Sequence, residues 1–285
     1  MTAELQRPSR RRRLASLGRG TVAGTGLIVV LLLAALFAPW LSQGSPEAMD
    51  FSAVLVGPSS AHPLGTDNFG RDVLTRVLFG LRVSMAAAVG SVAVAMLAGV
   101  PLGLVAGYRR GWIDAVIMRP ADVILSFPAI VLVIALAGAF GQNLGLMIVT
   151  IGFVYTPIVV RVMRGAALEL DGALFVEGAR ARGASHLRVM LRHVLPNAIA
   201  PVLVQASALM GVAILMEAAL SFIGLGVQPP TPSLGLMLSD GRSYMGQAPW
   251  LVVAPGVGIM LAVLGFNLLG DGIPRLLDPA RRARA

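Results

Sequence analysis

Residues 123–160 read VILSFPAIVLVIALAGAFGQNLGLMIVTIGFVYTPIVV, a run of 38 residues without a charged side chain. About 20 apolar residues are enough for a helix to cross the hydrocarbon core of a bilayer, so this run is too long for a single crossing. A glycine-rich segment, Gly138–Gly145, lies in its second half and is typical of a tight turn. The run therefore predicts two membrane-spanning helices joined by a short hairpin.

The rest of the chain contains four more apolar runs long enough to cross a membrane, at residues 20–46, 83–108, 198–225 and 250–270. Glu217 is the one charged residue among them. Hydrophobic residues make up 56% of the 285 residues and charged residues 13%, about half the ~25% of soluble domains. This composition favours lipid as the solvent. We predict an all-α membrane protein with six transmembrane helices.

Arginine placement predicts the orientation of these helices, because the cytoplasmic loops of membrane proteins carry an excess of basic residues. All 23 basic residues of the chain are arginine. With the N-terminus inside, 19 of the 23 fall in the inner segments, which are 1–19, 107–119, 161–197 and 270–285. We therefore expect both the N-terminus and the C-terminus on the cytoplasmic side (N-in/C-in).

The first apolar run has an alternative interpretation. Arg10–Arg13 followed by an apolar segment resembles a secretory signal peptide, with Ala35–Ala38 as a weak cleavage site. The run exceeds the length of about 7–15 residues usual for the apolar part of such a peptide, and five more spans follow it. We therefore favour a retained helix over residues 21–42. The basic tail before it, residues 1–20, is expected to fix topology and contact anionic lipid rather than nucleic acid.

The residue types present exclude several kinds of active site. Without lysine the chain cannot form a phosphate-binding loop of the Gly-x-x-x-x-Gly-Lys-Ser/Thr type, and without cysteine it has no thiol nucleophile or thiolate metal site. The arginine distribution puts His62 outside and His186 and His193 inside, so these three cannot share a metal ion. One histidine is too little for a nickel site at His62. We predict no catalytic residue, metal or cofactor on this chain.

The long segment 161–197 has the pattern of two helices separated by a turn. Gly165–Arg182 is compatible with a first helix, Gly183 with the turn and Ser185 with the N-cap of a second helix, which would end at Pro196. The apolar stripe of that second helix consists of Leu187, Met190, Leu191, Val194 and Leu195. The pattern alone fits either a rigid hairpin that docks onto another protein or an amphipathic helix lying on the membrane surface.

The same segment resembles the EAA loop of ABC importer permeases, whose pattern is Glu-Ala-Ala, three residues, Gly, nine residues, Ile-x-Leu-Pro. The corresponding residues, with the same spacing, are Glu177, Gly178, Ala179, Gly183, His193, Leu195 and Pro196. Gly178 and His193 depart from the pattern, which has Ala and Ile there. Glycine at position 178 would weaken a helix by up to ~1 kcal/mol relative to alanine.

Further stretches are similar to the second permease of dipeptide, oligopeptide and nickel importers; they are His62–Asp72, Gly80–Ser84, Glu217–Gly226 and Gly270–Asp278. This resemblance covers essentially the whole chain and implies a type I ABC importer permease fold, in which an N-terminal helix is added to a five-helix core. The implied regions are a cytoplasmic tail at 1–20, a first transmembrane helix at 21–42, an extracytoplasmic segment at 43–82, a core at 83–271 with a coupling loop at 161–197, and a second tail at 272–285.

The resemblance also implies partners and a function. The chain would pair with a different permease subunit, two cytoplasmic ATPases and an extracytoplasmic substrate-binding protein in the plasma membrane of a bacterium. ATP and Mg²⁺ would be bound by the ATPases, and Glu177, Ala179 and Gly183 would couple ATP hydrolysis to transport. Short peptides are the expected cargo, with nickel or another small solute as the alternative. A self-contained channel or a membrane scaffold is the rival from a different class.

Three polar residues within the spans have more than one interpretation. A charge that faces lipid is costly, so Glu217 is expected to be a hydrogen-bonded group between packed helices, with substrate contact as the alternative. Gln205 and Asn267 can either line a pathway or hold spans together by hydrogen bonds.

Overall fold

A computed structural model describes residues 19–42 and 44–274 of the chain, and the regular structure in this part is helical. The helices are α1 Arg19–Leu36, α2 Ala38–Leu41, α3 Val73–Arg109, α4 Gly111–Leu125, α5 Ala129–Phe140, α6 Leu144–Leu170, α7 Leu174–Ala181, α8 His186–Val189, α9 Leu195–Phe222, α10 Leu234–Gly241 and α11 Trp250–Gly270. A π-turn, Met190–Val194, joins α8 to α9, and a 3₁₀ turn, Arg242–Tyr244, follows α10. Most of the two predicted tails, and the end of the Gly270–Asp278 motif, lie outside the described residues.

Within residues 19–42 and 44–274, four stretches are helical, long and apolar enough to cross a membrane, namely Val73–Arg109, Leu144–Glu169, His186–Phe222 and Trp250–Gly270. The pair formed by α4 and α5 counts as a fifth if its two helices are taken as one broken span. Helix α1 is apolar but shorter than these. The prediction of an all-helical protein with several apolar spans is confirmed. The count of six remains a prediction.

The run 123–160 does not form two straight spans. The predicted tight turn is present between α5 and α6. Upstream of it, however, the chain bends by 91° between α4 and α5. The bend falls at Ser126–Pro128, where proline disfavours the helical conformation of the residue before it and lacks the N–H that would continue the helix. This leaves α5 with 12 residues, too few to cross a bilayer alone.

Helix α3 begins ten residues before the predicted start at Val83. Its N-terminus is capped by Asp72, whose carboxylate accepts a hydrogen bond of 2.7 Å from the backbone N–H of Thr75. The extra turns bring the segment 73–82, which was predicted to be extracytoplasmic, into the helix. With 37 residues, α3 is about 55 Å long.

The centre of the fold is the packing of α3 against α6. Three glycines of α3, spaced four residues apart at Gly99, Gly103 and Gly107, face the backbone of α6. A Cβ atom added at Gly103 would lie 2.5 Å from the carbonyl oxygen of Val160 and one added at Gly107 would lie 2.6 Å from that of Arg164. Small residues at this spacing let two membrane helices approach closely, where dispersion contacts replace the hydrophobic effect. We call Gly99, Gly103 and Gly107 the glycine stripe.

The N-terminal helix α1 also packs closely on α11 at glycine residues. A Cβ atom at Gly24 would lie 2.5 Å from the side chain of Leu268, and one at Gly265 would lie 2.8 Å from Ile28. Helix α11 also packs against α9 and α10. The first and last apolar helices of the chain are therefore neighbours in the fold.

Candidate functional site

The predicted turn at Gly183 is present and has well-defined geometry. The backbone of Gly183 has φ +77°, in the left-handed region that glycine adopts at little cost. Its N–H donates to the carbonyl of Arg180 (2.9 Å), and the N–H of Ala184 donates to that of Ala179 (3.1 Å). These two bonds form a Schellman motif, which ends α7 and reverses the chain. The hydroxyl of Ser185 then caps α8, as predicted.

The predicted first helix of this segment, Gly165–Arg182, is wrong as a single helix. Helix α6 ends at Leu170, and α7 starts at Leu174 after a turn. The residues between them include Asp171 and Gly172, both of which have low helix propensity. The short α7 is consequently free to leave the axis of α6. We call residues 174–195, from the start of α7 to the start of α9, the hairpin.

Pro196 does not end a helix, which corrects a second prediction. It lies in the first turn of α9, which continues to Phe222. A proline is tolerated in the first turn because its missing N–H is not needed there. Just before it, the N–H of Leu195 bonds to the carbonyl of Met190, five residues earlier, so the π-turn separates α8 from α9 without a break in the chain direction.

The hairpin has one buried and one exposed face. Val176, Ala179 and Val189 are buried against the rest of the protein. The predicted stripe is divided, because Met190 and Val194 are buried whereas Leu187 and Leu191 are exposed. The exposed side chains also include Leu174 (86% exposed), Phe175 and Glu177. Several large apolar side chains exposed together around an acidic residue are typical of a surface that binds another protein or the membrane surface.

The remaining residues of the EAA pattern differ in their exposure. Gly178 and Leu195 are half-buried, and Pro196 is exposed. A Cβ atom at Gly178 would meet only the end of the Arg182 side chain, at 3.6 Å. Within the described part of the chain, an alanine side chain would therefore fit at position 178, and no close contact requires the glycine.

Glu217 is completely buried and joins two helices. Its Oε2 accepts a hydrogen bond of 2.6 Å from Ser84 of α3, and its Oε1 accepts one of 2.7 Å from Ser221 of α9. A substrate contact requires access from a cavity, which a side chain with 0% exposure lacks in this conformation. The geometry favours the helix-packing role over substrate contact.

Replacing Glu217 by glutamine tests whether its charge matters. The amide keeps one acceptor oxygen, and the hydroxyls of Ser84 and Ser221 can rotate to accept from its NH₂ group. We expect Glu217→Gln to change the free energy of unfolding by less than about 1 kcal/mol and to leave uptake unchanged. Thermal unfolding and uptake are the measurements, with Ser91→Ala as the control because the buried hydroxyl of Ser91 has no partner among the described residues. Loss of uptake with normal stability would contradict the packing role.

Gln205 and Asn267 differ in their exposure to solvent. Gln205 is half-buried on α9, and Asn267 is exposed on α11. Neither side chain makes a hydrogen bond within residues 19–42 and 44–274. Their assignment to a pathway or to helix packing stays a prediction.

His62 has a structural partner. Its Nδ1–H donates to Oδ2 of Asp72 at 3.0 Å, and Asp72 is the residue that caps α3. In the described residues, no group of three or more histidine, aspartate or glutamate side chains is arranged to hold a metal ion.

Sequence reasoning missed two features of this region. The glycine stripe was visible as Gly-x-x-x-Gly-x-x-x-Gly at 99–107, a spacing that indicates a helix–helix interface in membranes. The second feature is a cluster of side-chain contacts among Tyr108, Arg110, Asp171, Arg180 and His186. No local sequence pattern indicates this cluster, because its residues come from four separate segments.

Comparison with known proteins gives the family. The model of the family described as "Binding-protein-dependent transport system inner membrane component" matches residues 99–283. The chain belongs to this family. The matched region of this transport permease includes the hairpin, which resembles the EAA loop, and the last two long apolar helices, α9 and α11.

Curated relatives cover most of the permease. The dipeptide transport system permease protein of Alkalihalophilus pseudofirmus is 43% identical over 269 residues, which are 94% of this chain and 88% of that protein. The glutathione transport system permease protein of Pectobacterium atrosepticum is 43% identical, over 89% of this chain and 85% of that protein. A probable D,D-dipeptide transport system permease protein of Escherichia coli K12 is 44% identical, over 91% and 87%.

A solved structure shows the same fold. A chain of a methionine ABC transporter in an inward-facing conformation matches with a TM-score of 0.61 at 18% identity, covering 71% of this permease and 96% of that chain. The expected type I ABC permease fold is confirmed at this level.

Proposed function

We propose that this chain is the transmembrane permease subunit of an ATP-driven importer that moves short peptides into the cytoplasm. The observation that carries the proposal is identity of 43–44% over about nine-tenths of the chain to permeases named for dipeptide, glutathione and D,D-dipeptide transport. All three names refer to small peptides. Nickel or another small solute, the alternative cargo, has no support from these names.

The hairpin is the proposed docking element for a cytoplasmic ATPase. The Schellman turn at Gly183 fixes the angle between α7 and α8, and Val176 and Ala179 anchor α7 to the protein body. The exposed face that carries Leu174, Phe175 and Glu177 is then accessible to a partner protein. A rigid element of this kind transmits a displacement, whereas a flexible loop would absorb it.

The proposed topology has six spans with both termini in the cytoplasm. This topology assigns one crossing to each of the four helical spans, one to the bent α4–α5 pair and one to α1, which is apolar but shorter than the others. The arginine distribution, with 19 of 23 on the inner side, supports the orientation. In this topology the hairpin lies in the cytoplasm, where the ATPases are.

The proposed partners are a second permease, two ATPases that hold ATP and Mg²⁺, a substrate-binding protein outside, and membrane lipid. ATP-driven closure of the ATPase pair would displace the hairpin and shift the permease pair between inward-facing and outward-facing states. Such a change is a two-state equilibrium biased by a ligand bound on another subunit. The family description, a binding-protein-dependent transport component, supports the need for a binding protein.

Copurification tests the docking role. Leu174→Ser removes an apolar side chain that is 86% exposed, so the fold of the permease is expected to be unaffected. We expect the yield of copurifying ATPase to fall roughly fivefold, equivalent to about 1 kcal/mol, which is the loss that marks the few dominant residues of an interface. Gly172→Ser, in open space just before α7, is the matched control and should copurify ATPase at the wild-type level.

Two outcomes would contradict the proposed function. A purified lone chain that conducts solute without ATPase would favour a channel. A complex that contains ATPases but shows no peptide-dependent uptake, and takes up nickel instead, would overturn the cargo assignment.

A further inference from the structure

The end of α3 is enclosed by the hairpin. Tyr108, in the last turn of α3, is only 7% exposed. Its hydroxyl oxygen is hydrogen bonded to Nδ1 of His186, the first residue of α8, at 3.0 Å. The guanidinium carbon of Arg180, in the last turn of α7, lies 5.1 Å from the centre of the Tyr108 ring, within the range of a cation–π contact. One aromatic side chain therefore contacts both helices of the hairpin, on either side of the Gly183 turn.

A second set of contacts supports the same connection. Oδ1 of Asp171 accepts a hydrogen bond of 2.5 Å from Nη2 of Arg180, and Oδ2 lies 3.1 Å from Nη2 of Arg110. Arg110 directly follows α3, and Asp171 lies in the turn between α6 and α7. The side chain of Asp171 is mostly shielded from solvent, so it loses less of its pairing energy to water than an exposed ion pair would.

Helix α3 connects this region to distant parts of the fold. Its glycine stripe packs on the backbone of α6, and its Ser84 donates to the buried Glu217 of α9. Tyr108 and Ser84 are 24 residues apart on the same helix, a distance of about 36 Å. A displacement applied at Tyr108 is therefore delivered to α6 and to α9 through contacts that are already close-packed.

From these contacts we infer that Tyr108 is a positioning residue that makes the hairpin and α3 move as one body. The inference rests on the proposed docking of an ATPase on the hairpin. Movement of the docked hairpin pulls α3 through the ring and hydroxyl of Tyr108. The hairpin is also joined covalently to α6 through the turn at 171–173 and to α9 at Leu195, and these connections act in addition.

Tyr108→Phe isolates the hydroxyl, because it keeps the ring that contacts Arg180. The matched control is Tyr155→Phe, since the buried hydroxyl of Tyr155 on α6 has no hydrogen-bond partner among the described residues. In a reconstituted complex of both permeases, the ATPases and the binding protein, we expect Tyr108→Phe to lower peptide uptake per ATP hydrolysed roughly three- to tenfold, the equivalent of one lost hydrogen bond. The amount of ATPase in the complex should be unchanged.

The distance between two spin labels distinguishes a positioning role of Tyr108 from a merely structural one. The chain has no cysteine, so spin labels at Arg109→Cys and Arg182→Cys would be its only labelled sites. Both positions are exposed, one on the last turn of α3 and the other at the tip of the hairpin. We expect one label-to-label distance with and without ATP in the otherwise wild-type chain, and a broadened, ATP-dependent distribution when Tyr108→Phe is added.

Two results would overturn the inference while leaving the proposed function intact. One is uptake per ATP that is equal in Tyr108→Phe and Tyr155→Phe. The other is a label distance that changes with ATP in the presence of Tyr108. If the wild-type permease fails to copurify with ATPases at all, the proposed function fails first and this inference fails with it.

Discussion

Gly183→Val is expected to abolish ATP-driven uptake without preventing insertion of the permease. Gly183 has φ +77°, and a β-branched residue in this region costs about 1–3 kcal/mol. The strain is confined to the backbone, because a Cβ atom at this position would have no neighbour within 4 Å in the described protein. The equilibrium constant for forming the turn would fall roughly 10- to 100-fold, and docking would weaken in proportion to the fraction of the turn that is lost. Uptake and peptide-stimulated ATPase activity in reconstituted vesicles are the measurements.

A graded series separates this effect from simple bulk. Asparagine adopts the left-handed conformation more readily than alanine or valine, so uptake should decrease in the order Gly, Asn, Ala, Val at position 183. Gly172→Val is the control, because Gly172 lies in the same segment, in open space and without a left-handed backbone. Wild-type uptake by Gly183→Val, with the complex intact, would rule out a requirement for this turn.

Gly103→Leu is expected to prevent stable folding. A Cβ atom at Gly103 would lie 2.5 Å from the carbonyl oxygen of Val160 and 2.8 Å from Cβ of Met163, so α3 and α6 would have to separate. Overpacking of a core commonly costs 1–3 kcal/mol, and here the obstacle is backbone, which cannot rotate away. We expect a loss of about 3 kcal/mol or more, measured by thermal unfolding and by the yield of monodisperse protein.

Gly165→Leu provides the comparison on the partner helix. Gly165 is exposed on α6, and a Cβ atom there would have no neighbour within 4 Å. Leucine has a higher helix propensity than glycine, so this variant should be neutral or slightly more stable. Equal yields from Gly103→Leu and Gly165→Leu would mean that the close approach of α3 and α6 is not essential.

Several features could be predicted from local sequence because their causes are local. Apolar runs of about 20 residues predicted the positions of α3, α6, α9 and α11, since the bilayer sets the required length. The turn at Gly183 followed from glycine at the end of a helical pattern. The residue pattern around Glu177 also pointed to the permease family that the comparisons then showed.

Proline positions show where local reasoning fails. Pro101, Pro157 and Pro255 lie inside continuous helices, whereas Pro128 coincides with a bend of 91°. Proline removes the same N–H in each case, and neighbouring helices decide whether the freed carbonyl finds another partner. Pro196 was misjudged for a different reason, because it lies in the first turn of α9, where its missing N–H is not needed.

By itself, the sequence determined that this protein is helical, lies in a membrane, belongs to a binding-protein-dependent transport family and reverses its chain at Gly183. The tertiary structure alone decided that Glu217 is buried against Ser84, 133 residues away, and that Tyr108 meets His186, 78 residues away. The physical reason is that helix propensity and hydropathy depend on near neighbours in the chain. The environment of a polar side chain depends instead on which helices pack against it.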